Sequence, residues 1–376
     1  GIETKLEYSY VPDELAQGVP EKEARSGPIG LGYRVPMILC SPWSRGGWVN
    51  SQLFEHTSTL QFLERFVEGK YNKRIRESNI SEWRRAISGD LSSAFRQYDG
   101  KRPSLPFLNR DQYVESIQRA RYKEVPSDYK ALTAEQIASV NHDARRSGLI
   151  PAQEPGVRRA CALPYEPYAD GHLDRHGKKF ELEMRAGNRF FGERAAGFPF
   201  NVYLYGTRET TASTAPSQSR PNMISATYAV KAGGALREST KLSEFAGDRY
   251  DIAIHGPNGF FRKFTGDHND PAIEVTCSYH ADGRKLSSDI VLEITHKGGS
   301  QPYTIQITDN SYHAQPVIRT IAPGTANDGT ILDLSHQHGW YDFSVKVAGA
   351  NGFEKRYAGH AESGSPSYTD PLMGEV

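Results

Sequence analysis

Residues 53–66 read LFEHTSTLQFLERF. Glu55, His56, Thr57 and Ser58 place a carboxylate, an imidazole and two hydroxyls where an amphipathic helix begins. Leu60, Leu63 and Val67, with Phe62 and Phe66 beside them, supply its apolar stripe. Such a cluster has two chemical uses. As a cap, Thr57 or Ser58 accepts from the first backbone N–H groups while Glu55 lies near the positive end of the helix dipole. As a site, the helix N-terminus receives a phosphate and His56 adds a donor or a metal ligand. The residues alone leave both open.

The elements that must position the cluster lie just upstream. YRVPMILC (33–40) reads as a buried strand, and SPWSRGGWVNSQ (41–52) has the Ser, Pro and Gly content of a loop. Strand, Gly-rich loop and helix N-terminus are the order in which α/β enzymes present groups at the carboxyl end of a sheet. Within the loop, Trp43 and Trp48 serve either as packing or as faces for a cationic head group such as a quaternary ammonium, with Arg45 facing a phosphate. His172 and His176, and His336 and His338, read as surface residues in loops. No G-x-S-x-G, H-E-x-x-H, P-loop or C-x-x-C occurs, so the residues amount to part of a site without a nucleophile.

The bulk of the chain narrows the function classes. The 376 residues carry 45 basic and 45 acidic side chains, so no net field draws the chain to nucleic acid or an anionic membrane. Three widely spaced cysteines, Cys40, Cys161 and Cys277, exclude a disulfide framework and a Cys-based zinc site. No apolar run reaches the roughly 18 residues of a membrane span, and no signal peptide is evident.

Organisation changes near residue 155. Before it, helical periodicity dominates: Ser81 is the expected N-cap of a helix in 79–95, a helix is expected in 110–124, and Thr133 and Gln136 form a capping-box pair for a helix over 134–147 ended by Gly148. Residues 150–171, with four prolines, read as a linker, and 206–222 as a long exposed loop. After 155 the segments alternate with period two, as in FPFNVYLYG (198–206), where Phe198, Phe200, Val202 and Leu204 face one way and Asn201, Tyr203 and Tyr205 the other. Short strands at this density predict β-sandwiches. Residues 249–271 also parallel 340–366: Tyr250 matches Tyr341, and Asn258-Gly259-Phe260 matches Asn351-Gly352-Phe353, an NG turn joining two strands in each copy.

GLGYRVP, SPWSRGGWV and EHTS, in this order within 27–66, then NISEWRRAISGDLSSAFR (79–96) and ALPYEPYADGHLD (162–174), resemble the carboxyl-terminal part of the bacterial phosphocholine-preferring phospholipase C family, of the alkaline-phosphatase-like superfamily. The resemblance covers nearly the whole chain. It implies the C-terminal portion of an α/β/α phosphoesterase domain with linker helices in 1–155, followed by two all-β sandwich domains in 156–283 and 284–376. The implied activity is metal-dependent hydrolysis of phosphatidylcholine or sphingomyelin to phosphocholine and a lipid alcohol. The nucleophile and most ligands of a divalent metal ion would lie upstream, in a missing N-terminal part, so this chain alone is expected to be inactive and to expose apolar surface. Family members commonly carry Asp before His-Thr-Ser, where Glu55 stands here. His56 and Glu55 are carried over as catalytic candidates, and Thr57 and Ser58 as substrate-binding ones, beside Arg45, Trp43 and Trp48. Secretion or a periplasmic location is implied as well. The rival reading is a non-catalytic tandem β-sandwich that binds lipid, carbohydrate or protein through Tyr203, Tyr205, Tyr312 and Trp340.

Overall fold

The computed structural model describes residues 7–372 except 22, 25, 26, 33, 34, 102, 103, 105–108, 126–129, 145, 151–155 and 209–222. Helices fill the first part: α1 (Val11–Ala16), α2 (His56–Tyr71), α3 (Glu82–Ile87), α4 (Arg110–Ala120) and α5 (Ala134–His142). The strands described there are one short ladder, β1 (Tyr8–Ser9) with β2 (Gly27–Pro28). The helix starts follow the expected chemistry, since the Ser81 Oγ accepts from Arg84 N–H and Thr133 and Gln136 form a reciprocal capping box.

Two expectations for this part are corrected. The segment 35–40 is not a buried strand: it has no strand partner among the described residues, and Val35 and Ile38 are 73% and 83% exposed. Helix α5 ends at His142 rather than 147, with Asp143 extended as its C-cap, and none of its residues is buried, so no packing sustains another turn. The stripe on α2 has the expected helical spacing, and, as expected for this part, Leu60, Leu63 and Phe66 are exposed, while Phe62 meets the ring of Phe95 at 5.4 Å. Of the expected linker at 150–171, residues 151–155 lie outside the described residues, and the rest is not a free linker: it holds Arg159–Ala160 and the start of Pro167–Asp174 as strands, with Leu163, Tyr165 and Ala169 buried. Most of the expected loop at 206–222 lies outside the described residues.

From residue 159 onward the chain is sheet: β3 (Arg159–Ala160), β4 (Pro167–Asp174), β5 (Lys179–Ala186), β6 (Phe198–Tyr205), β7 (Met223–Val230), β8 (Gly234–Lys241), β9 (Tyr250–His255), β10 (Phe261–Gly266), β11 (Ile273–Asp282), β12 (Lys285–His296), β13 (Tyr303–Asp309), β14 (Val317–Ile321), β15 (Asp328–Leu332), β16 (Trp340–Val347), β17 (Glu354–His360) and β18 (Ser367–Tyr368). Three-stranded sheets β4-β5-β8 and β11-β12-β15 are laid out alike, and the same holds for β7-β6-β9-β10 and β14-β13-β16-β17. The repeat is therefore one seven-strand unit used twice. The two four-stranded halves are joined by antiparallel pairing of β10 with β17 into one sheet of eight strands. The division drawn at 283/284 falls inside the β11–β12 turn, and the repeat changes over between β10 and β11; strand alternation marks faces and carries no mark of sheet membership.

The alternation itself decides the core. Phe198, Phe200 and Val202 are buried on one face of β6, and the same apolar cluster runs on through Ile254, Phe264, Leu292 and Val345 to Tyr357. Asn258 and Gly259 take positive φ in the β9–β10 turn as their types allow. In the longer β16–β17 turn Gly349 does so instead, a departure from the expected equivalence of the two NG turns.

The seam between the repeats holds two buried cations. Alignment of the two NG turns makes Arg262 and Lys355 equivalent, and in the β10–β17 register Arg262 stands opposite Tyr357 and Lys355 opposite Phe264. Arg262 donates to the Ala358 carbonyl at 2.9 Å and to the Tyr341 hydroxyl at 3.1 Å, and lies 4.1 Å from the Phe260 ring centre. Lys355 donates to the Gly171 carbonyl at 2.7 Å. Gly171 also sits tight against the core, where a Cβ would lie 2.4 Å from the Phe180 ring. Burial brings Lys355 down to about 8, against the opposing pull of Asp170, Glu274 and Asp270.

Candidate functional site

The start of α2 is fixed locally. Glu55 is the N-cap residue, with extended backbone, and His56 is the first helical residue. The Ser58 hydroxyl accepts from Glu55 N–H at 3.0 Å, and Ser58 N–H donates to the Glu55 carbonyl at 2.9 Å. Ser58 is fully buried, Thr57 donates its hydroxyl to the Glu55 carboxylate, and His56 is exposed. The cap is thus Glu55, supported by Ser58 from the third helical position, where the sequence suggested Thr57 or Ser58 as the cap itself.

Behind the cap lies an ion network that the sequence reading missed. Arg84, in α3, donates to the Glu55 carboxylate at 3.2 Å and to both oxygens of Glu7 at 3.0 and 2.9 Å. Ser81 caps α3 and also donates to Glu7 at 2.7 Å. Glu7 is only 6% exposed, so this guanidinium compensates a carboxylate removed from water. Glu7 and Glu55 are 77 and 29 residues from Arg84, a separation at which no periodicity links them. The Ser81 cap was the one available signal, because it sets Arg84 on the first turn of α3.

The tryptophan loop is held as a second group. Arg96 donates to the Arg45 carbonyl at 2.7 Å and, through its backbone, to the Trp43 carbonyl at 2.8 Å. Its guanidinium lies 4.2 Å from the Trp48 ring centre, and that of Arg159 lies 5.4 Å away. Trp48 is therefore already a cation platform for this chain's own arginines. Trp43 is 53% exposed. Arg45 stacks 4.7 Å over Tyr98 and lies 3.9 Å from Asp99, and its buried Nη2 has no hydrogen-bond partner among the described residues. Among the described residues no hydrogen bond or ion pair joins Trp43, Arg45 and Trp48 to Glu55, His56, Thr57 and Ser58.

Elsewhere the candidates have structural duties. His172 pairs with Glu181 at the surface, and the His338 ring packs on Tyr368 at 4.7 Å. Trp340 donates its indole N–H to the Tyr368 carbonyl, and Tyr312 donates to Asp370. Tyr203 and Tyr205 differ. They stack at 6.3 Å on the outer face of β6, and the contacts continue from Tyr203 to His255 at 5.5 Å and on to Phe261 at 4.9 Å. Partial burial holds His255 below the ordinary imidazole range. Among the described residues no three His, Cys, Asp or Glu side chains are grouped to hold a metal ion, and no helix is long and apolar enough to cross a membrane. Cys40, Cys161 and Cys277 are all free.

Comparison with known proteins gives the geometry a setting. Residues 159–267 and 273–360 match the family described as bacterial phospholipase C, C-terminal domain, in two segments that coincide with the two seven-strand units. Residues 7–68, which include Glu7 and the start of α2, match the phosphoesterase family. A non-hemolytic phospholipase C of Burkholderia pseudomallei is 34% identical over 93% of this chain and 44% of its own length. A non-hemolytic phospholipase C of Pseudomonas aeruginosa is 33% identical over 93% of this chain and 45% of its own, and a hemolytic one from the same organism is 32% identical over 94% and 46%. The chain thus spans somewhat under half the length of these relatives. On the match of the two β units, the chain belongs to the bacterial phospholipase C family.

Proposed function

We propose that the protein of which these residues are part hydrolyses a phosphodiester, phosphatidylcholine or sphingomyelin, to phosphocholine and a lipid alcohol. The observation that carries this is the exposed imidazole of His56 on the first turn of a 16-residue helix whose cap is locked by Glu55, Ser58 and Arg84. A phosphate at that N-terminus gains the helix dipole, and His56 donates a hydrogen bond to a phosphoryl oxygen, where charge builds as the ester bond breaks. Glu55 acts in this reading by holding the cap, since its carboxylate is already engaged by Arg84 and Thr57. Thr57 and Ser58 shape the same turn. Trp43, which is exposed, is assigned to the choline head group; Trp48 already faces Arg96 and Arg159, and Arg45 Nη2 is buried beside Asp99, so neither is given a substrate contact.

The match of residues 7–68 to the phosphoesterase family supports placing this part at the carboxyl-terminal end of an alkaline-phosphatase-like α/β/α domain. A divalent metal ion belongs to the proposal, but the described residues do not form a donor set for one, so no step is assigned to it. The nucleophile and most metal ligands are placed outside these 376 residues, and the location is secreted or periplasmic. The test is turnover of choline and non-choline phosphodiesters by the natural full-length protein and its His56→Ala variant. A fall of about 100-fold in kcat is expected from loss of a transition-state donor, and full turnover would refute the role. Hydrolysis by residues 1–376 alone would equally count against the reading.

The second reading, a binding module, is favoured by the track from Tyr205 through Tyr203 and His255 to Phe261, a run of partly exposed rings, three of them with a polar group, on the face of the sheet turned from the core. Sedimentation with phosphatidylcholine vesicles checks it: Tyr203→Ser with Tyr205→Ser should abolish binding, and equal binding by the double variant removes the reading.

A further inference from the structure

Two backbone groups lead into the α2 cap, and both are held by something other than their own segment. Leu53 lies two residues before Glu55. Its carbonyl accepts Gly89 N–H at 2.8 Å, and its N–H donates to the Tyr165 hydroxyl at 2.9 Å, across 112 residues of chain. Tyr165 belongs to the β region, in the extended stretch between β3 and β4. It is 2% exposed, and its ring packs edge-on against Phe198 of β6 at 5.1 Å. Burial pushes its phenol upward, so the acceptor stays a neutral hydroxyl across the working pH range.

The hold on Leu53 has counterparts on either side. Val49 is bracketed by β3, donating to the Arg159 carbonyl at 2.9 Å and accepting Cys161 N–H at 2.8 Å. Strand β18 closes the other side of β3, with Ser367 opposite Ala160 and Tyr368 opposite Arg159. Helix α3, which carries Arg84, is seated at the start of β6: a Cβ on Gly197 would lie 1.9 Å from the Ala86 carbonyl oxygen, so the two backbones are in direct contact there. The loop before α2 and the helix that supplies Arg84 are thus both registered on the β region.

We propose that the β region is the template for the start of α2, with Tyr165 a positioning residue that sets it, and so His56, through Leu53 N–H. This rests on the phosphate reading of His56 given above. Tyr165 touches neither His56 nor any substrate in this assignment; it acts through the backbone of residues 53–55. The removal of one hydroxyl leaves the ring and its packing on Phe198 in place while Leu53 N–H loses its acceptor, so Tyr165→Phe is a clean probe.

Hydrogen exchange on the 376-residue chain reads the hold directly. In Tyr165→Phe the Leu53 amide should exchange about 5-fold to 10-fold faster, as expected for one lost hydrogen bond, with the amides of β9 and β10 unchanged. In the natural full-length protein the same variant should lower kcat roughly 10-fold with KM for a choline phosphodiester nearly constant, because misplacement of a donor is felt in the transition state. Unchanged exchange at Leu53 overturns the proposal, and so does faster exchange with kcat untouched. Full turnover by His56→Ala is a separate result that overturns the phosphate reading; the exchange at Leu53 is independent of it.

Discussion

The helical part and the β part of this chain are stabilised by different means. The β part closes on itself: its two seven-strand units share one apolar core, and even its two buried cations, Arg262 and Lys355, are hydrogen-bonded inside it. The helical part keeps much of its apolar surface in the open, with Val35, Ile38, Leu60, Leu63 and Phe66 exposed, and is held by a small buried group that includes Ile80, Trp83, Ile87 and Leu91 together with guanidinium–carboxylate contacts such as Arg84 with Glu7 and Glu55 and Arg85 with Glu64. The Arg85 contact holds Glu64 below the usual carboxylate range. The lesson is that the residues proposed for chemistry sit where apolar packing is weakest, and their geometry is set by ion pairs and by the neighbouring sheet.

The comparison can be broken at its strong end first. Phe264→Ala, at the seam between the repeats and fully buried, should cost about 4 kcal/mol and unfold the β part cooperatively at lower denaturant. If it melts only one repeat, the single-core description fails. Arg84→Ala removes the partner of the buried Glu7; with Arg84 24% exposed, the loss should be about 2 kcal/mol, smaller than for a fully buried pair. It should appear as faster amide exchange in 53–60 with the strands unaffected.

Lys355 tests the charge inside the core. Its folded value of about 8 lies below the ordinary 10.5, so the unfolded chain binds more protons between those values and stability gains with rising pH there. From pH 7.5 to 9 the wild type should gain about 2–4 °C in Tm relative to Lys355→Met, measured at both pH values. Taking the difference between the two proteins removes the opposing effect of Cys277, whose thiol burial pushes to about 12. Equal pH dependence would mean that Lys355 is not desolvated. The smallest effect is expected at Leu63: Leu63→Ser should change stability by less than about 0.5 kcal/mol, because the side chain is exposed. A loss above about 1 kcal/mol would show that the α2 face is packed and would erase the contrast between the two parts.

Much of the fold was legible in advance. The change from helical to alternating periodicity, the caps at Ser81 and Thr133, the inward and outward faces of β6 and the repeat centred on the NG turns all appear in the structure. The apolar run at 33–40 misled, because a run of that length has the same appearance whether or not a partner strand exists to cover it. Of the site, the cluster from Glu55 to Ser58 was visible as a group, since its members are adjacent in the chain. Arg84, Glu7, Arg96 and Tyr165 were not, since each reaches its partner from a different element.

The sequence by itself determined what depends on nearest neighbours along the chain: where helices are capped, which strand face is apolar, and that one β unit is used twice. These follow from the 3.6-residue and two-residue periods of the backbone and from the side chains that satisfy helix ends. Tertiary structure alone decided that the two units share an eight-stranded sheet, that Lys355 meets a carbonyl 184 residues away, and that Tyr165 and Arg84 hold the start of α2. Those pairings depend on how the elements are arranged in space, which no local period encodes.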